Sequence, residues 1–163
     1  MQVAEWNRGV LVGVGLVAGA VQAAAGLAMY LAGVYFAPWS MGVSVGVFLA
    51  CLVVGTRWYT IRFLSDEITY PQAVLVGTVI SICTGVVYAG YNVITISYLY
   101  PNFLDEVVRA RFADVETQPN ADAVAAMRAQ VSAVGIAIPN LVRLSLFGTA
   151  LSLVTSLFLK RKM

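Results

Sequence analysis

Between Arg8 and Arg57 the chain carries no Asp, Glu, Lys, Arg or His. This almost wholly apolar stretch is cut once, at Pro38-Trp39-Ser40. A hydrocarbon core about 30 Å thick takes roughly 20 helical residues per crossing, so the stretch is too long for one span and suits two. Lipid, rather than water, is therefore the solvent against which the other residues are read. The rest of the chain agrees. Of its 163 residues 60% are hydrophobic and 11% charged, and the mean hydropathy is +0.84, which leaves too little polar surface for a soluble domain.

The same composition excludes several kinds of function. A net charge of +2 gives no basic field for nucleic acid. Histidine, the commonest general base and metal ligand, is missing. Cys51 and Cys83 each sit inside an apolar run, where a thiol behaves as a small hydrophobe. No carboxylate falls within an expected span, which argues against a proton relay or cation coupling. Asp66-Glu67 and Asp105-Glu106 flank helix ends and read as caps or solvated turns. No nucleophile–base pair, phosphate loop or metal-ligand spacing is present. The expectation is a non-enzyme without metal or cofactor. Val10 to Val21 followed by Ala23-Ala24-Ala25-Gly26 imitates a signal peptide, but the apolar run continues to Tyr35, which predicts an uncleaved first span.

The pattern predicts an all-α fold, a single integral-membrane four-helix bundle over residues 1–163, with spans near 10–36, 41–59, 71–100 and 139–159. Pro71 suits the first turn of the third span, where its missing N–H is no loss. Residues 102–135 differ. Leu104, Val108 and Val115 mark one apolar side, Gln118-Pro119-Asn120 reads as a turn, and Val124, Met127, Val131 and Val134 recur at helical spacing. They predict an amphipathic helical hairpin outside the bilayer or lying along its surface. Arg8, Arg57, Arg62 and Lys160-Arg161-Lys162 fall on one side, whereas Arg109, Arg111 and Arg128 on the other are diluted by acids. The positive-inside rule then puts both termini in the cytoplasm, as in a bacterial inner membrane. Val10-Leu11-Val12-Gly13 and Val74-Leu75-Val76-Gly77 suggest a weak parallel repeat.

Lipid tails are as apolar as leucine, so small and polar residues guide helix association. The first span carries Gly15, Gly19, Gln22, Gly26 and Gly33 on one line, the second Gly42, Gly46 and Ala50, and the fourth Ser145, Gly148 and Ser152. These are read as packing seams within the bundle or between copies. On the third span Gly77, Ser81, Thr84, Tyr88, Tyr91, Thr95 and Tyr98 alternate at spacings of 4 and 3, with Asn92 beside them. An unpartnered hydroxyl in hydrocarbon is unfavourable, so this line should face protein or a polar cavity. One reading is an interhelical hydrogen-bond seam. The other is a cleft for a lipid headgroup or a sugar-bearing carrier. Arg143 is the lone charge of the fourth span. A helix starting near Pro139 leaves it free to snorkel, whereas a helix continuous across Pro139 sets it deeper and in need of a partner.

The segment from Arg57 to Pro101 carries a family likeness. An arginine-bearing turn, Trp58-Tyr59-Thr60-Ile61-Arg62, precedes Ile68-Thr69-Tyr70, a glycine-bearing span, and a tyrosine-containing stretch closed by Pro101-Asn102-Phe103. This resembles the DUF4199 family of small four-span proteins found mainly in Bacteroidota, as do the charged stretch between spans three and four and the lysine-rich end. Asp66-Glu67 stands where that family usually has Gly-Gly. The resemblance implies no catalytic residues. It implies a gene set beside that of a glycosyltransferase of the polyprenyl-phosphate type, which favours a partner or carrier role in lipid-linked sugar metabolism.

Two functions follow as expectations. The first is a non-enzymatic membrane protein that works by helix association, as a homo-oligomer or an accessory subunit among membrane lipids. The second is a binding or translocation partner for a lipid or polyprenyl-phosphate-linked sugar, with the site at Ser81, Thr84, Tyr88, Tyr91, Asn92, Thr95, Tyr98 and Arg143.

Overall fold

The computed structural model describes residues 7–64, 69–99, 102–103, 105–106, 122 and 132–159. Among them there is no strand. Four long helices follow in order: α1 (Arg8–Leu31), α2 (Ser40–Phe63), α3 (Tyr70–Ile94), which runs on into a π-helical turn (Thr95–Leu99), and α4 (Ala133–Leu159). Each is long and apolar enough to cross a membrane. Asp66-Glu67, Pro101, most of the expected hairpin and Lys160-Arg161-Lys162 lie outside the described residues.

α1 ends earlier than its apolar run. Instead of continuing to Phe36, the chain turns at Gly33, which sits at φ 70°. The N–H of Gly33 donates to the Tyr30 carbonyl at 2.9 Å and that of Val34 to the Met29 carbonyl at 3.0 Å. This pair of bonds is a Schellman cap, which favours glycine at the left-handed position. Gly33 is therefore a turn residue, not the last member of a packing line, and hydropathy could not reveal it.

The fourth helix is longer than expected. It begins at Ala133, not Pro139, because Ser132 caps it: the Gly135 N–H donates to Ser132 Oγ at 2.9 Å. Pro139 lies inside it and deletes one backbone bond, a loss tolerated in membrane helices whose neighbours support the chain. Residues 133–135, the end of the expected hairpin, thus belong to α4. At the start of α3 the Thr69 N–H donates to Gln72 Oε1 at 3.0 Å, half of a capping box.

α3 is the central helix, packed most extensively against α4 and α1. It is also the most buried of the four spans, and α4 is the least. The apolar core lies between α1, α2 and α3, with Leu11, Ala18, Leu52, Tyr59, Ala73, Val76 and Ile80. Glycines and hydroxyls bring the helices close. Gly15 faces Ile80 and Cys83, Gly19 faces Val87, and Gly26 faces Tyr88 and Tyr91, so α1 and α3 run parallel. Gly77 meets Ser152 and Gly148 meets Ser81, so α3 and α4 run antiparallel. Outside the bundle large apolar side chains stand exposed, among them Val17, Val54 and Leu146, the reverse of a water-soluble surface and the expected lining for lipid.

Candidate functional site

The polar line of α3 divides into two parts with different environments. In the lower part, towards Tyr70, the hydroxyls of Ser81, Thr84 and Ser152 are used inside the bundle, whereas the buried Ser156 Oγ of α4 has no partner. Ser81 is fully buried against Gly148 and donates to the Gly77 carbonyl at 2.7 Å. Thr84 donates across to the Gly15 carbonyl of α1 at 3.3 Å. Ser152 of α4 donates to the Gly148 carbonyl at 2.7 Å. Ser145 lies beside Gly85. This is a dry seam without room for a ligand.

The line of α1 joins two neighbours. Gly15, Gly19 and Gly26 pack on α3, whereas Gln22 reaches α2, where its Nε2 donates to Ser44 Oγ at 2.7 Å and to the Ser44 carbonyl at 3.2 Å. Gly42 and Gly46 do not form a seam within the chain. A Cβ placed on either meets nothing within 4 Å, and Ala50, one turn on, is exposed. Their side of α2 points away from the bundle because Phe48, Leu52 and Tyr59 take the inward side. The expected repeat is also used unequally: Gly13 has open space where Gly77 packs on Ser152.

The upper part of the α3 line lies at the aromatic end of the bundle. The Tyr88 and Tyr91 rings stack with centroids 5.7 Å apart. Gly26 makes room for both on α1. The Tyr88 hydroxyl shares a hydrogen bond with Tyr35, and Arg143 lies within electrostatic reach of it. Asn92 and Thr95 are both 4% exposed, yet Asn92 Nδ2 and Thr95 Oγ1 have no hydrogen-bond partner. Elsewhere Thr60, Ser81, Thr149, Ser152 and Thr155 satisfy their hydroxyls on the carbonyl four residues back. Thr95 does not. It opens the π-helical turn and, with Asn92, lines a small pocket closed by Tyr30, Tyr35, Tyr91, Ile96 and Phe103. The space between them is about 10 Å³, the lower limit for one water molecule. Phe103 is part of its wall, with ring centroids 5.9 Å from Tyr30, 5.6 Å from Tyr35 and 5.9 Å from Phe36.

Tyr98 leaves the line. It is 81% exposed, because the wider turn from Thr95 rotates the later residues out of α-helical register. Arg143 is exposed too, in a cleft of about 120 Å³ between α2 and α4 lined by Met41, Ser44, Val45, Phe48, Leu144 and Phe147. It stands ten residues beyond Ala133 in an unbroken helix, roughly 15 Å along the axis. Sequence reasoning missed Tyr30, Tyr35, Phe36 and Phe103. The one available signal was the clustering of aromatics beside Pro38 and Pro101, at the ends of two spans. Among the described residues no group of acids or cysteines could hold a metal.

Four long apolar helices around a buried polar line define a multi-pass α-helical membrane protein. A family model described as "Protein of unknown function (DUF4199)" matches residues 13–161, and the chain belongs to that family. No curated protein and no solved structure matches the chain.

Proposed function

We propose that this protein acts by association within a bacterial inner membrane, as a homo-oligomer or as the accessory subunit of a membrane complex, with both termini in the cytoplasm and no catalysis of its own. The observation that carries this reading is the outward side of α2. Gly42 and Gly46 have open space, whereas Gly15, Gly19 and Gly26 of α1 and Gly148 of α4 are packed, and Ala50 continues their line. Small residues at this spacing let a second helix approach closely in lipid, where close packing drives association. Crosslinking in native membranes followed by native mass spectrometry of the mildly solubilised protein tests it. A self-complex or a recurrent partner is expected. A lone monomer in both measurements contradicts it.

A second reading is favoured by the upper pocket. Asn92 and Thr95 keep polar atoms unpaired in an apolar surround, and such atoms are rarely left without a role. The chain would bind a lipid or a polyprenyl-phosphate-linked sugar there, alongside a membrane glycosyltransferase. Phe103 would swing aside and the tyrosine rings would cover the polar part of the ligand. Asn92→Leu and Thr95→Val test it. Loss of co-purified lipid in a folded protein supports the reading, and unchanged lipid content contradicts it.

A further inference from the structure

We infer that the cleft at Arg143 is a binding site for the phosphate of an anionic phospholipid, whose acyl chain lies against Met41, Val45, Phe48 and Phe147. This deepens the second reading by naming the anchoring group, and it takes place in a separate cleft that shares no lining residue with the pocket of Asn92 and Thr95.

The argument starts from charge. Arg8, Arg57 and Arg62 lie towards the ends of their helices at the opposite side of the bundle. Arg143 stands deepest, ten residues from the start of α4 where Arg57 is six from the end of α2, and none of the four spans contains Asp or Glu. No span can supply it with a carboxylate. A helix of 27 residues is roughly 40 Å long, so centring it on a hydrocarbon core about 30 Å thick puts the Cα of Arg143 roughly 10 Å below one surface. An arginine at that depth is held by snorkelling towards phosphates. Its guanidinium then meets the phosphate layer with a planar fork suited to bidentate contact.

The walls fit the remainder of such a ligand. Five of the six residues that line the cleft with Arg143 are apolar, and Ser44 adds the one hydroxyl. That hydroxyl accepts from Gln22 and keeps its own O–H to donate, while the guanidinium supplies the charged donor. Phe147 is 42% and Met41 59% exposed, so the cleft opens sideways to lipid, which lets a chain enter from the bilayer without leaving it. Tyr88, within electrostatic reach of Arg143, links this cleft to the tyrosine-lined pocket.

The test is lipid retention by native mass spectrometry of the full chain in mild detergent, with phosphatidylglycerol and phosphatidylcholine of matched chains supplied in equal amounts. The wild type is expected to retain phosphatidylglycerol in preference. Arg143→Gln is expected to lower that retention by about tenfold, the loss of one charge-assisted contact. Arg143→Lys should keep part of it. Val45→Trp fills the cleft without altering charge and should lower retention as well, so a failure of Arg143→Gln to fold leaves the question answerable. Equal retention of the two lipids by the wild type overturns the proposal. So does undiminished retention in Val45→Trp, or in a folded Arg143→Gln. Any of these three results removes the anchor alone. The second reading itself falls only if Asn92→Leu and Thr95→Val leave lipid content unchanged.

Discussion

Gln22 Nε2 of α1 donates to Ser44 Oγ of α2 at 2.7 Å, and this part-buried bond ties the first two helices together near the start of α2. Gln22 is 2% exposed, and its Oε1 is left without a partner. The bond is therefore a clean case of polar glue in lipid.

Gln22→Ala should lower stability by about 1 kcal/mol, the usual scale for an interhelical hydrogen bond in a membrane. Gln22→Leu restores volume and should lose less, since it removes the unpaired oxygen with the bond. Thermal unfolding in a fixed detergent orders the three proteins. Equal midpoints for wild type and Gln22→Ala would mean that the bond contributes nothing.

The close approach of α3 and α4 predicts unequal tolerance among glycines. A Cβ at Gly148 runs into Ser81 and comes within 2.8 Å of Phe48. Gly148→Ala should therefore destabilise by about 1–3 kcal/mol, the range for overpacking, and Ser81→Gly in the same protein should recover part of that loss. Gly42→Ala and Gly46→Ala meet open space in the chain and should leave monomer stability unchanged. Unfolding by denaturant measures all of them on one scale.

Gly33 has a different reason for being glycine. A Cβ there would meet nothing within 4 Å, but its φ of 70° disfavours any L side chain. Gly33→Ala should lose about 1 kcal/mol, and Gly33→Asn should lose less because asparagine tolerates the left-handed region. Equal losses for Ala and Asn would point to packing instead of backbone conformation.

How much of this was legible in the sequence depended on whether a residue acts through hydropathy or through local geometry. The gap between Arg8 and Arg57 announced two spans, and the helical spacing of Gly15, Gly19 and Gly26 matched a line that the fold presses onto α3. Composition carries such information because lipid selects it. The end of α1 was not legible, since Val34, Tyr35 and Phe36 are as apolar as the helix before them and only the backbone at Gly33 stops it. The start of α4 was obscured by Pro139, a residue that reads as a boundary although Ser132 had already capped the helix. The α3 line looked uniform from Gly77 to Tyr98, yet the π-helical turn removes Tyr98 from it and leaves Asn92 and Thr95 unpaired. A helical period assumed constant cannot anticipate a wider turn.

The claim on which the functional account rests is that the outward side of α2 is an association face. Replacing Cys51 and Cys83 with serine and placing one cysteine at a time at Gly46 or at Ser152 allows thiol crosslinking in native membranes. The account predicts adducts of higher mass from Gly46→Cys, to a second copy or to a partner, and none from Ser152→Cys, which is buried against Gly77. Monomer alone at position 46 under conditions that label its thiol fully would contradict it.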